Sequence, residues 1–177
     1  GVCPTHKSRN PASGTTIQPR CAAPHDKSHC DVLGPLDPPS HHGARWVLAF
    51  RDDHSRYQWL YYTKTKSTEE ITRCTLDFLS NHKVKVLRCD KGGEFDSALY
   101  RQAITSRGAR VEYRPTLFPH KHGFCERRWW DLVRRTACVL AASRAPKSFW
   151  LLAMDYVLLL LNTMPTDHEA SPHHLLF

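Results

Sequence analysis

Between Cys30 and Pro165 the apolar residues fall into short runs whose order leaves few folds open. Three strand-like runs come first: Cys30 to Leu33, broken by Gly34-Pro35, then Trp46 to Phe50, then Tyr57 to Tyr62. Asp52-Asp53-His54-Ser55 turns between the second and third. Ser67 opens a helix with Glu70 three residues on as a capping box, and Ile71, Cys74, Phe78 and Leu79 form its buried stripe. Val84 to Cys89 is the fourth strand, with Gly92-Gly93 permitting a tight turn beyond it. Phe95, Leu99 and Ala103 mark a second helix that Gly108 stops, and Val111 to Arg114 is a fifth strand ending at Pro115. Cys125, Trp129, Leu132, Thr136 and Leu140 keep helical spacing as far as Ser143, and Pro146 starts a last, mostly apolar helix that ends before Pro165. Such an order predicts an α/β domain with a five-stranded mixed sheet flanked by helices.

Three acids stand out from the 17 in the chain because each sits in a distinctive setting. Asp31 lies within His29-Cys30-Asp31-Val32-Leu33-Gly34-Pro35, and Asp90 ends Val-Leu-Arg-Cys-Asp before Lys91-Gly92-Gly93-Glu94-Phe95. Glu126 opens Glu-Arg-Arg after His122-Gly123-Phe124-Cys125, with 35 residues between it and Asp90. Carboxylates are hard oxygen ligands suited to Mg²⁺ or Mn²⁺. Two such ions can clamp the attacking and leaving oxygens of an in-line phosphoryl transfer. A lone strand-end Asp is more often a turn or cap residue, and Asp52, Asp53 and Glu94 are read that way.

Together these words resemble the catalytic core of a retrotransposon integrase of the copia type. HCDVLGPL is similar to the first-aspartate strand of that family, and FRDDHSRYQWLYYTKTKS to its following hairpin. LRCDKGGEF resembles the second-aspartate strand and turn, and HGFCER the start of the glutamate helix. PKSFWLLAMDYVLLLLNTMPT and then SPHHLLF look like the stretch downstream of the core. The resemblance runs from about Cys3 to Phe177 and implies an RNase H-like fold with Asp31, Asp90 and Glu126 as catalytic and metal-binding residues. It further implies two Mg²⁺ or Mn²⁺ ions, 3′-end processing and strand transfer of DNA, a homo-oligomer, and a nuclear site of action with a cytoplasmic particle stage. The domain layout it implies is an extended arm over 1–27, remnant of a zinc-binding region, a core over 28–165, and the start of a downstream segment over 166–177.

Charge agrees with a polyanionic substrate. The net +8 is matched by the segment from Arg101 to Lys147 alone, which holds eleven Lys/Arg against three acids. Within it Lys121, Arg127, Arg128, Arg134 and Arg135 are the candidate nucleic-acid contacts. The bland alternative is a solvated basic face. Seven cysteines argue against a full disulfide framework. Cys30 and Cys89, each preceding an acid on a strand, should face the core if the acids face the site. Cys3-x2-His6 and Cys21-x3-His25-x3-His29 have zinc spacings, yet a complete zinc site is not expected within the chain. The longest apolar stretch, Phe149 to Leu161, contains Asp155 and is too short to span a bilayer, and no signal peptide is visible. A first residue of Gly rather than Met points to a fragment or processed piece.

The copy also departs from its family. Trp129 and Trp130 stand where a polar residue, often Asn, follows the helix glutamate, and the turn from Leu117 to His122 lacks the usual Gln-rich character. Trp129 should be core, and Trp130 should flank the metal site or lie exposed. These departures keep a second function in view, a catalytically inactive, degenerate or domesticated DNA-binding domain. An RNase H-type nuclease is a third, but it requires a fourth acid for which the sequence offers no well-placed candidate.

Overall fold

β1 (Lys27–Leu33) is the strand around which the molecule is organised. On one side it pairs antiparallel with β2 (Trp46–Asp52), which pairs antiparallel with β3 (Gln58–Thr63). On the other it pairs parallel with β4 (Val86–Cys89), which pairs parallel with β5 (Arg110–Tyr113). The order is β3-β2-β1-β4-β5, the five-stranded mixed sheet expected. The computed structural model describes residues 20–114, 123–165 and 170–177, with side chains in the third helix from Trp129 onward.

Helices α1 (Thr68–Asn81) and α2 (Ala98–Thr105) cover one face of the sheet. Their Ile71, Cys74, Phe78, Tyr100 and Ile104 pack with Leu48, Phe50, Leu87 and Phe95, and Phe50 stacks on Phe78 with ring centroids 4.0 Å apart. Helices α3 (Gly123–Ser143) and α4 (Trp150–Thr163) cover the other face, where Leu132, Trp150, Met154 and Val157 meet Val47. A short 3₁₀ turn (Lys147–Phe149) leads into α4, and α5 (Pro172–Leu176) follows. Helices on both faces explain why β2 is buried at every position but Trp46: its alternate residues enter opposite layers, and neither reaches water.

Several expectations shift by a few residues. β1 starts three residues before Cys30, because the backbone from His25 onward is already held: Lys85 N–H donates to the His25 carbonyl at 3.0 Å, and the His25 N–H donates to Asp52 at 2.8 Å. The second helix begins at Ala98 rather than near Phe95, with Ser97 accepting the Tyr100 N–H at 3.0 Å. Its buried side chains are Tyr100 and Ile104, while Leu99 is 53% exposed. Only half of the capping box forms at α1. Ser67 accepts the Glu70 N–H, but the Glu70 carboxylate accepts the Lys64 and Thr65 N–H groups instead of the one on Ser67. No helix of the described residues is long and apolar enough to cross a membrane.

Candidate active site

Register places the two aspartates. β1 and β4 pair Lys27 with Val86, Ser28 with Leu87 and His29 with Arg88. Carried two residues further along both strands, that offset sets Asp31 level with Asp90. Period-two alternation then turns the pair to one face and Cys30 and Cys89, level with each other, to the opposite face. Both cysteines are indeed buried among the α1–α2 layer, so the acids belong to the α3–α4 face. Proximity of Asp31 to Asp90 is also felt electrostatically. Burial pushes the Asp31 carboxyl above its ordinary range, Arg114 opposes that shift, and the charge of Asp90 adds to it.

The local chain holds each carboxylate in a different way. Asp31 Oδ1 accepts the Val32 N–H at 3.0 Å, and Oδ2 accepts the indole N–H of Trp129 at 3.0 Å. The Arg114 guanidinium stands 4.0 Å from the same Oδ2 and also reaches the Cys30 carbonyl. Asp90, just past the end of β4, is exposed and accepts the Gly92 N–H at 3.0 Å. Gly92 in turn lies under Glu94: a Cβ there would meet the Glu94 carboxylate at 2.7 Å, whereas one on Gly93 would meet nothing within 4 Å. Close approach, not backbone freedom, is thus what Gly92 provides. Glu94 is not a simple solvated turn residue either, since its buried carboxylate pairs with Lys66 at 2.8 Å.

The third acid is reached through α3. Position 126 lies in the first turns of that helix, one turn before Trp129, and its side chain is outside the described residues. Trp129 packs against the α3–α4 core and also bonds to Asp31, so it is more than the core residue anticipated. Sequence reasoning missed that contact because an indole at helical spacing with Leu132 looks apolar; its single N–H donor was the only available signal. Trp130, 71% exposed, faces away.

Of the basic candidates, Arg134 and Arg135 are exposed on α3, and both contact Asp131, at 3.3 and 2.8 Å. Lys121 and the side chains of Arg127 and Arg128 are outside the described residues, as are Cys3 and His6. Among the described residues no group of three metal-ligating side chains converges. His29 bonds Asp53 at 2.9 Å, and His25 stacks on His82 with centroids 5.5 Å apart. Asp52 and Asp53 serve their turn, Asp52 accepting from Ser55 N and Oγ, and Asp53 from Cys21 N, His29 and Arg56.

An acid on β1 level with one just past the end of the parallel β4, in a β3-β2-β1-β4-β5 sheet with a helix bonded to the first, is the arrangement of an RNase H-like domain. Solved structures agree on the fold. The chain superimposes on the HTLV-2 integrase catalytic core domain in complex with magnesium (trimeric form) with a TM-score of 0.71, at 16% identity, covering 89% of this chain and 100% of that one. The catalytic core of BIV integrase gives 0.67 at 15% identity, over 86% and 93% of the two chains. A chain of the simian T-cell lymphotropic virus intasome in complex with PP2A regulatory subunit B56 gamma gives 0.73 at 16%, over 89% and 56%. Sequence relatives are polyproteins. The Pol polyprotein of transposon TNT 1-94 from Nicotiana tabacum is 31% identical over 80% of this chain, and the Pro-Pol polyprotein of simian foamy virus type 3 (strain LK3) is 33% identical over 89%. The chain spans 11% and 14% of their lengths. No family model matches the chain. It belongs to the integrase core domains of the RNase H-like superfamily that Pol polyproteins carry.

Proposed function

We propose that this chain is the catalytic core of a copia-type retrotransposon integrase, which trims the 3′ ends of element DNA and joins them to target DNA. The observation that carries the reading is the β1–β4 register, which sets Asp31 level with Asp90 on the face that α3 covers. The donor set fits a divalent cation: two carboxylates on one face, one exposed, and each retaining lone pairs beyond its hydrogen bonds. Asp31, Asp90 and Glu126 would hold one or two Mg²⁺ or Mn²⁺ ions. Bound there, the metal supplies activation of water or a 3′-hydroxyl and neutralises charge at the phosphorus. Asp31 and Asp90 supply the hard oxygen donors, and Arg114, beside Asp31, limits the repulsion between the acids before metal arrives.

Arg134 and Arg135, with Lys121, Arg127 and Arg128, would contact DNA phosphates in the nucleus, with a cytoplasmic particle stage, and the domain would act as a homo-oligomer. Residues 1–27 would be the remnant of a zinc-binding region, 28–165 the core, and 166–177 the start of the next segment. Strand joining, or its reversal on branched DNA, with Mn²⁺ tests the proposal. Wild type should be active and Asp90→Asn inactive. DNA binding without any metal-dependent joining by the wild type would replace this reading with that of a degenerate DNA-binding domain.

A further inference from the structure

Trp129 is joined to the site by one bond whose donor has no other use. Its ring packs against the apolar layer that includes Leu132, Trp150 and Met154, and its Nε1–H donates to Asp31 Oδ2 at 3.0 Å. The other oxygen of that carboxylate is fixed by the Val32 N–H at 3.0 Å. A carboxylate has about four lone-pair sites. One hydrogen-bond donor on each oxygen, with the Arg114 guanidinium 4.0 Å from Oδ2, fixes the plane of the group and leaves each oxygen a further lone pair. The indole orients Asp31 without filling it. Because α3 carries Trp129 and β1 carries Asp31, the same bond couples the seating of that helix to the direction of the carboxylate.

We infer that Trp129 is a positioning residue for the cation at Asp31: it sets the carboxylate in the orientation the metal takes and does not serve as a platform for DNA. The inference rests on the metal reading of Asp31 given above. Donors that orient a ligand from outside the coordination sphere typically change metal affinity about 10- to 100-fold when removed.

The test is calorimetric titration of the whole chain with Mn²⁺. Trp129→Phe keeps an aromatic ring in the packed layer and deletes the donor, so its affinity for Mn²⁺ should fall about 10- to 100-fold. Leu132→Ala damages the same layer away from Asp31; it should lower the melting temperature and leave Mn²⁺ affinity close to that of wild type. In wild type titrated with Mg²⁺, the Trp129 indole N–H resonance should shift with saturation, and in Asp31→Asn it should not respond. Unchanged or tighter Mn²⁺ binding by Trp129→Phe, or an equal loss in Leu132→Ala, overturns the positioning role while the metal site stands. Wild-type Mn²⁺ affinity in Asp31→Asn overturns the metal reading itself, and the inference with it.

Discussion

At the scale of single residues, the two aspartates differ more than their matching positions suggest. Asp31 is constrained by three neighbours and raised by burial, while Asp90 is exposed with one backbone donor. Asp90→Asn should therefore spare folding and cost on the order of 10³-fold in strand-joining rate. Wild-type activity in that variant would remove Asp90 from the site. Asp53 offers a separate test, of folding stability. The hydrogen bond from His29, with further donors, holds its carboxyl well below the usual range. A depressed carboxyl stabilises the fold above its unfolded value of about 4 and loses that contribution as pH falls towards the folded value. Asp53→Asn should cost about 2 kcal/mol at pH 7, and the deficit should begin to shrink as pH falls below roughly 4. Urea unfolding at both pH values measures it; an undiminished deficit at low pH would mean that charge is irrelevant there. Asp31 and Asp90 could be singled out in the sequence because their neighbours are distinctive. Their mutual placement was not legible there, since it depends on a register between strands and on an indole whose polar atom is invisible to an apolar pattern.

Elements show the same division. The succession of strands and helices could be read from period and punctuation, and all five strands are present. What the pattern missed were starts: Phe95 is apolar and precedes Leu99, but it is buried from a turn in which its N–H bonds the Gly92 carbonyl, before α2 begins. That turn carries its own prediction. Gly92→Ala would drive a methyl into the Glu94 carboxylate, disturbing both the Lys66 pair and the donor to Asp90, whereas Gly93→Ala has open space. The first should lower the melting temperature and weaken Mn²⁺ binding; the second should do neither. Equal effects would show that backbone conformation governs the turn. On α3, Asp131 draws in Arg134 and Arg135 and so would compete with any phosphate for both. Removing both arginines should flatten the plot of log affinity against log salt by up to about two units, at roughly 0.9 per phosphate contact. Asp131→Ala should instead strengthen DNA binding, and a salt slope unmoved by the double arginine variant would leave this face merely solvated.

For the whole molecule, a cation that binds only the folded chain must stabilise it. At about a hundred times its dissociation constant, Mn²⁺ should add roughly 2.7 kcal/mol to unfolding free energy. That gain should vanish in Asp31→Asn, and a gain of equal size there would place the binding elsewhere. The placement of β1 has a different consequence. Antiparallel pairing with β2 can be completed from neighbouring sequence, but the parallel pairing with β4 waits for α1 to be made and for the chain to cross over it. Asp31 is thus synthesised early and stands alone on a half-built sheet. During synthesis on the ribosome the nascent chain would therefore present no paired acids until the strand ending at Cys89 had docked beside β1.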